Sequence, residues 1–329
     1  MCCAYRSRRS PDISDAQPCA KAKSDFGMKL TYYKGSVPNF GDELNTYMWP
    51  RVLPQGFLDE DDSELFLGIG SILWEHHPKK ARKYVLGSGY GGYAAAPDVH
   101  DGTWDVIFVR GPRTAAQLDL PPSKGICDSA ILLRKFDLPP AAEELGIAFM
   151  PHYHSFSRGH WPEACAQAGI RLIDPRENVE TIISEIRGAR MLITEAMHGA
   201  IVADALRTPW LAVRPIHAEN AAKWSDWAES LGLDLNRHQL QPSSLFEFYV
   251  SATKGRRYYE GRARKLGKSA IAKPADRVLI SLAARHLRKL CRCEPQLSHD
   301  DRLDNAFNRA MEAVEDFVRS RASIMERRP

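Results

Sequence analysis

Asp105-Val106-Ile107-Phe108-Val109-Arg110-Gly111-Pro112-Arg113-Thr114 is the stretch on which the fold turns. An apolar run ends in an arginine, Gly111 turns the chain, and Pro112 opens a helix at the first-turn position that proline favours. The same strand–turn–helix grammar returns in Met191-Leu192-Ile193-Thr194-Glu195-Ala196-Met197-His198-Gly199-Ala200-Ile201. Outward from these two anchors, short apolar runs at Met28–Lys34, Leu65–Ile69, Lys83–Leu86, Ile147–Met150, Arg171–Ile173 and Leu211–Val213 alternate with helical patterns such as Trp161–Ala168 and Val179–Arg187. Buried-type strands that alternate with helices predict an α/β fold with largely parallel sheets. Leu138-Pro139-Pro140 breaks the rhythm near the middle, which predicts two α/β domains, 28–140 and 141–250, with a cleft between them. Residues 1–27 lack apolar periodicity and are expected to be a disordered tail. Residues 251–329 read as a basic helical extension that includes an amphipathic Arg277–Leu290 and a final helix over Leu303–Met325.

Composition bounds the function. The 329 residues are 44% hydrophobic and 26% charged, an ordinary globular balance that excludes collagen-like, coiled-coil and wholly disordered chains. No apolar run is long enough to span a bilayer, and the N-terminal stretch lacks the apolar region of a secretory signal. Seven scattered cysteines, three of them in the polar first 19 residues, fit a reduced, intracellular chain. The net charge of +4 conceals an asymmetry: Ser251–Glu294 carries 13 Lys or Arg against 3 Asp or Glu, so the rest of the chain is net negative. Such a segment is either a solvated helix face or a surface for an anionic membrane or polyanion.

Polar residues gather where strands give way to helices. In Val37-Pro38-Asn39-Phe40-Gly41-Asp42-Glu43-Leu44-Asn45, Gly41 permits a close backbone approach, Asp42 is placed to cap a helix, and Asn39 has no structural duty of its own. Gly87-Ser88-Gly89-Tyr90-Gly91-Gly92 has the G-x-G-x-x-G spacing, but Tyr93-Ala94-Ala95-Ala96 runs into Pro97 and no long helix follows. A dinucleotide is therefore not expected there, although the glycines leave room for an anion or sugar. Arg110, beside the N-terminus that Pro112 begins, suits a carboxylate or phosphate; its other reading is an arginine bridging the two domains. His198, in the first turn of a helix, can donate to a phosphate or move a proton. Pro151-His152-Tyr153-His154 with His160, and His76-His77, offer imidazoles without the carboxylate or cysteine spacing of a zinc site, so no metal is expected. Asp128 of Cys127-Asp128-Ser129-Ala130 is a helix cap or a wall of the site; Cys127 has no catalytic setting.

Taken together, Val37–Asn45, Gly68-Ile69-Gly70-Ser71, Gly87-Ser88-Gly89, Phe108-Val109-Arg110-Gly111, Cys127–Ala130, Pro151-His152-Tyr153 and Glu195–Gly199 resemble the polysaccharide pyruvyltransferase family, most nearly its exopolysaccharide ketal branch, over about residues 28–215. The resemblance implies two Rossmann-like domains in a glycosyltransferase-B-like pair. It also implies transfer of pyruvate from phosphoenolpyruvate to a terminal hexose of a lipid-linked repeat unit, with a ketal formed and phosphate released. On this reading Arg110, Arg113, His198 and Gly199 bind the donor, and Asn39, His152 and Asp128 bind the acceptor. His198 acts in catalysis with Asp42 or Glu195 as base. Where other branches carry arginine two residues before the histidine this chain has Ala196, so Arg113, Arg214 or Lys223 is expected to supply the missing cation. No cofactor beyond the donor substrate and no nucleic acid is expected, and the enzyme is placed in the cytoplasm, peripheral to the inner membrane face. A nucleotide-sugar glycosyltransferase and a non-catalytic carbohydrate or membrane adaptor are the competing readings. Binding of uridine diphosphate sugars would mark the first, and vesicle binding without phosphate release the second.

Overall fold

Loops that follow buried parallel strands emerge at one end of a sheet, and both sheets of this protein use that end. The computed structural model describes residues 27–215, 221–253 and 260–326. The expected tail, apart from Gly27, lies outside them. β1 (Met28–Thr31) leads into α1 (Phe40–Val52), followed by β2 (Leu58–Asp59), β3 (Glu64–Leu67), β4 (Arg82–Leu86), β5 (Trp104–Phe108) and α2 (Pro112–Gln117). These five strands form one parallel sheet in the order β2-β1-β3-β4-β5. A short 3-10 turn, Ser129–Lys135, precedes the second half.

The second half runs β6 (Gly146–Met150), α3 (Tyr153–Arg158), α4 (Trp161–Ala168), β7 (Arg171–Leu172), α5 (Val179–Gly188), β8 (Ala189–Thr194), α6 (Met197–Ala205), β9 (Trp210–Val213), α7 (Ala221–Ser230) and β10 (Arg237–His238). Its sheet is also parallel, in the order β10-β9-β8-β6-β7. In each sheet the chain departs in opposite directions from one strand: β1 lies between β2 and β3, and β6 between β7 and β8. Such switch points open a crevice at the carboxyl ends of the strands. The two-residue strands β2 and β10 escape the apolar pattern because they are too short to show a period.

Four helices close the chain: α8 (Leu245–Ala252), α9 (Glu260–Gly267), α10 (Ala272–Leu290) and α11 (Asp300–Glu326). They do not stand apart as an extension. α10 lays Ala283, Leu287 and Leu290 into the core behind the second sheet, against Trp161 and Cys165 of α4. α11 returns to the first half, where Leu303, Ala306, Ala310, Val314 and Phe317 join the cluster of Phe66 and Tyr84. Arg321 fastens it there, donating to Glu64 at 2.5 Å and to the Tyr84 hydroxyl at 2.7 Å. That same cluster continues through Leu44, Met48 and Trp49 of α1 to Ile182 of α5 and Ala200 of α6, so the two halves share packed apolar surface.

Candidate active site

Loops from both switch points line one cavity of about 980 Å³. After β1 come Tyr33 and Asn39, and after β3 come Gly70 and Ser71; facing them are His152 after β6 and His198 at the start of α6. A space of this size between two α/β halves is ample for a small anion and a sugar together.

The floor is built around His198. Gly41 lies so close that a Cβ there would overlap Nδ1 of the imidazole, which explains the glycine in a helix. α1 begins at Phe40 with Asn39 at the cap position, so Asp42 sits in the first turn and is not the cap expected from sequence. Freed from that duty, its carboxylate accepts a hydrogen bond from Asn39 Nδ2 at 2.8 Å and lines the cavity. Burial lifts Asp42 above the usual carboxylate range, against the Asn39 hydrogen bond and the charges of His198 and Lys223, which pull it down. On the far side of the ring, Asp128 Oδ2 lies 3.5 Å from His198 Nε2, while its other oxygen caps the 3-10 turn by accepting from Ala130 N–H at 3.0 Å. Burial alone would raise Asp128. The nearby imidazole of His198, the Ala130 N–H and Arg110 outweigh it, and the group is held below its ordinary value. Asp128 is thus the cap and not a wall residue: it stands behind His198 and does not line the cavity, so the expectation that it touches acceptor is not met.

Arg110 is a second correction. It is fully buried and does not line the cavity. Its Nε donates to Asp226 Oδ2 at 2.9 Å, Nη1 to Ser71 Oγ at 2.7 Å and Nη2 to the Tyr90 carbonyl at 3.0 Å. This is the domain-bridging arginine of the alternative reading: β5 belongs to the first half and Asp226, on α7, to the second. The guanidinium also occupies the space over Gly89, and Ser129 fills that over Gly87, so these two glycines accommodate protein and not a bound anion or sugar. Arg113 is exposed and paired with Glu229 at 2.5 Å, away from the cavity. Arg214 is exposed at the end of β9 and does not line the cavity either.

The cation that does reach the floor is Lys223, on α7. Burial, with repulsion from Arg110, pushes its ammonium down to about 8, while Asp42 and Asp128 oppose the shift. Glu195, expected as a base, is buried and committed: it accepts from His152 N–H at 2.9 Å and from Ser155 Oγ at 3.0 Å, which fixes the loop after β6. His152 lines the cavity while its Nδ1 accepts from His154 N–H at 3.3 Å to cap α3. Gly199 packs on Thr194 and Met150 inside the α6–β8 contact and is not exposed to the cavity.

The upper wall contains what sequence reasoning did not single out. Tyr33, Trp74 and Tyr93 line it beside Tyr153 of the Pro151-His152-Tyr153 motif, and Arg158, Arg264 and Lys268 add positive charge. Arg264 and Lys268 come from the basic segment, whose spacing gave no hint that part of it turns inward. Among the described residues no three His, Cys, Asp or Glu side chains gather as metal ligands; His77 Nε2 donates to the Ile72 carbonyl at 2.8 Å.

Comparison with known proteins identifies the family. The family model described as polysaccharide pyruvyl transferase matches residues 57–217, a span that runs from just before β2 past His198. The chain is 35% identical over 301 residues to the succinoglycan biosynthesis protein ExoV of Rhizobium meliloti (strain 1021), covering 84% of this chain and 94% of that protein. With likeness along nearly the whole of both sequences, the chain belongs to the polysaccharide pyruvyl transferase family and is a pyruvyltransferase.

Proposed function

We propose that the protein transfers the pyruvyl unit of phosphoenolpyruvate to two hydroxyls of a terminal hexose on a lipid-linked exopolysaccharide repeat unit, forming a cyclic ketal and releasing phosphate. The convergence of His198, Asp42 and Lys223 on the floor of an aromatic-walled cavity carries this reading. The relative's part in succinoglycan biosynthesis supports an exopolysaccharide acceptor. The donor is a carboxylate and a phosphate on three carbons, and it needs a cation and a proton donor in one cavity; Lys223 and His198 both line this one and take those roles. Ring faces such as Trp74 and Tyr93 suit the apolar faces of a hexose.

The chemistry balances in two stages. His198 gives a proton to the methylene carbon, which becomes a methyl group, and the cation left at C2 is captured by the first sugar hydroxyl, whose proton passes to Asp42. The C2–O bond to phosphate then breaks as Asp42 passes its proton to the departing phosphate, and the second hydroxyl closes the ketal as its own proton returns to His198. Asp128 is a positioning residue that backs the imidazole from the side away from the cavity. The donor carries its own leaving group, so the scheme requires no further cofactor. The enzyme works at the cytoplasmic face of the membrane, where a lipid-linked acceptor is presented.

Phosphate release from phosphoenolpyruvate with lipid-linked oligosaccharide acceptors, followed by the mass of the product, tests the scheme. His198→Ala is expected to reduce turnover about 10²–10⁴-fold, and Asp128→Asn on the order of tenfold to a hundredfold with little change in the KM of the donor. Calorimetric binding of a uridine diphosphate sugar in place of phosphoenolpyruvate would assign the cavity to glycosyl transfer instead.

A further inference from the structure

α10 buries one face and leaves the other without a partner among the described residues. Ile271 at its cap, Val278 and Leu282 are exposed, the first two at 62% and 60%. Successive steps of three or four residues continue the stripe from Ile271 through Pro274, Val278 and Leu282 to Arg285 and Lys289, all exposed, with Lys273, Arg277 and Arg288 exposed alongside. Asp276 is the helix's single carboxylate, and it is turned away from the stripe: it accepts from Leu245 N–H at 2.6 Å, lies 3.3 Å from His160 and lines the cavity. α8, which packs on α10, adds a half-exposed Phe248. The other large apolar side chains that stand exposed among the described residues, Tyr33 and Tyr93, belong to the cavity.

We propose that this face of α10, with Phe248, is the surface by which the enzyme docks on an anionic lipid bilayer. Aliphatic side chains in line with a row of arginines and lysines, on a helix too polar to span, form the pattern of an interfacial helix that lies in the headgroup plane. Charge selects the occupant. A second copy seated across the same face would bring five cations of α10 against another five, and residues 1–26 carry five Lys or Arg against three Asp, so neither complements the surface. An anionic leaflet does. The position fits as well: Asp276 places the first turns of α10 at the cavity rim, beside Arg264 and Lys268 of the α9 region. A docked enzyme therefore opens its cavity close to the membrane plane. The proposal rests on the reading of the acceptor as lipid-linked, but its deciding readout is vesicle binding, which does not depend on the reaction.

Full-length protein is co-sedimented with vesicles in which about a third of the lipid is phosphatidylglycerol, and with vesicles of phosphatidylcholine alone. The expected result is binding to the anionic vesicles only, weakening as salt rises. Val278→Asp with Leu282→Asp, and separately Arg285→Glu with Lys289→Glu, are each expected to reduce partitioning by about tenfold or more, with thermal melting and phosphate release on a water-soluble oligosaccharide unchanged. The charge pair is fully on the surface, so it reports even if the apolar pair misfolds. Equal binding to neutral vesicles, no binding to either, wild-type partitioning by both variants, or a dimer in sedimentation velocity that Val278→Asp with Leu282→Asp dissociates would each overturn the proposal.

Discussion

Lys223 shows how one side chain can set the pH range of the whole site. Its ammonium titrates at about 8 because burial and Arg110 disfavour the charge, against a value of 10.5 for an exposed lysine. Donor affinity that depends on this charge is present below about 8 and declines above it, by up to about tenfold per pH unit. The KM for phosphoenolpyruvate is expected to climb between pH 7.5 and 9.5 in the wild type, and Lys223→Gln is expected to begin high and stay level over that window. Stability runs the other way. A lysine whose folded value lies below its unfolded one releases a proton on folding between those two values, so its destabilising effect is greatest below about 8 and fades as pH rises towards 10.5. Urea midpoints should therefore rise with pH across that window in the wild type relative to Lys223→Gln. A KM profile that is the same in both proteins would remove Lys223 from the donor site. Sequence reading named this lysine only as one of three substitutes for an absent arginine, since nothing local distinguishes it; its role comes from α7 crossing from the second half onto the cleft.

At the scale of elements, α1 and α6 face each other end to end, and Gly41 is their point of contact. The imidazole of His198 stands where a Cβ would be. Gly41→Ala is expected to displace the ring from Asp128 and Asp42, lowering turnover at least about tenfold, with an overpacking cost of about 1–3 kcal/mol read as a fall in melting temperature. Wild-type turnover in that variant would mean that the ring has room to spare and that the contact carries no catalytic weight. The strand–turn–helix junctions at Arg110 and His198 were both legible in the sequence, because an apolar run, a turn residue and a helix former follow one another within ten residues. What those junctions point at was not legible. Arg110 and His198 occupy the same grammatical position, yet one is turned into the wall by Asp226, 116 residues away, and the other faces the cavity. Glu195 was read as a base for a similar reason: its partners, His152 N–H and Ser155, come from a neighbouring strand's loop.

Over the whole molecule, the two halves are locked where Arg110 meets Asp226, and the lock bears on the site. Asp226 accepts from Arg110 and also from Thr114 N–H at 3.0 Å and Thr114 Oγ at 2.6 Å, so it ties α2 as well as β5 to α7. Lys223 stands one turn earlier on that helix. Both members of the pair are nearly inaccessible, at 0% and 4% side-chain exposure, where removing one partner strands the other and costs about 3–5 kcal/mol. Arg110→Met and Asp226→Leu are each expected to lower stability by that amount in urea unfolding. The double variant is expected to lose less than the sum, since no unpaired charge is left behind and residues in direct contact couple by about 0.5–3 kcal/mol. All three variants loosen α7, so the KM for phosphoenolpyruvate should rise in each while turnover at saturating donor changes less. The opposite pattern, Arg110→Met stable but unable to bind donor while Asp226→Leu binds it normally, would mean that the guanidinium leaves the wall to grip the substrate and that the cleft closes around it.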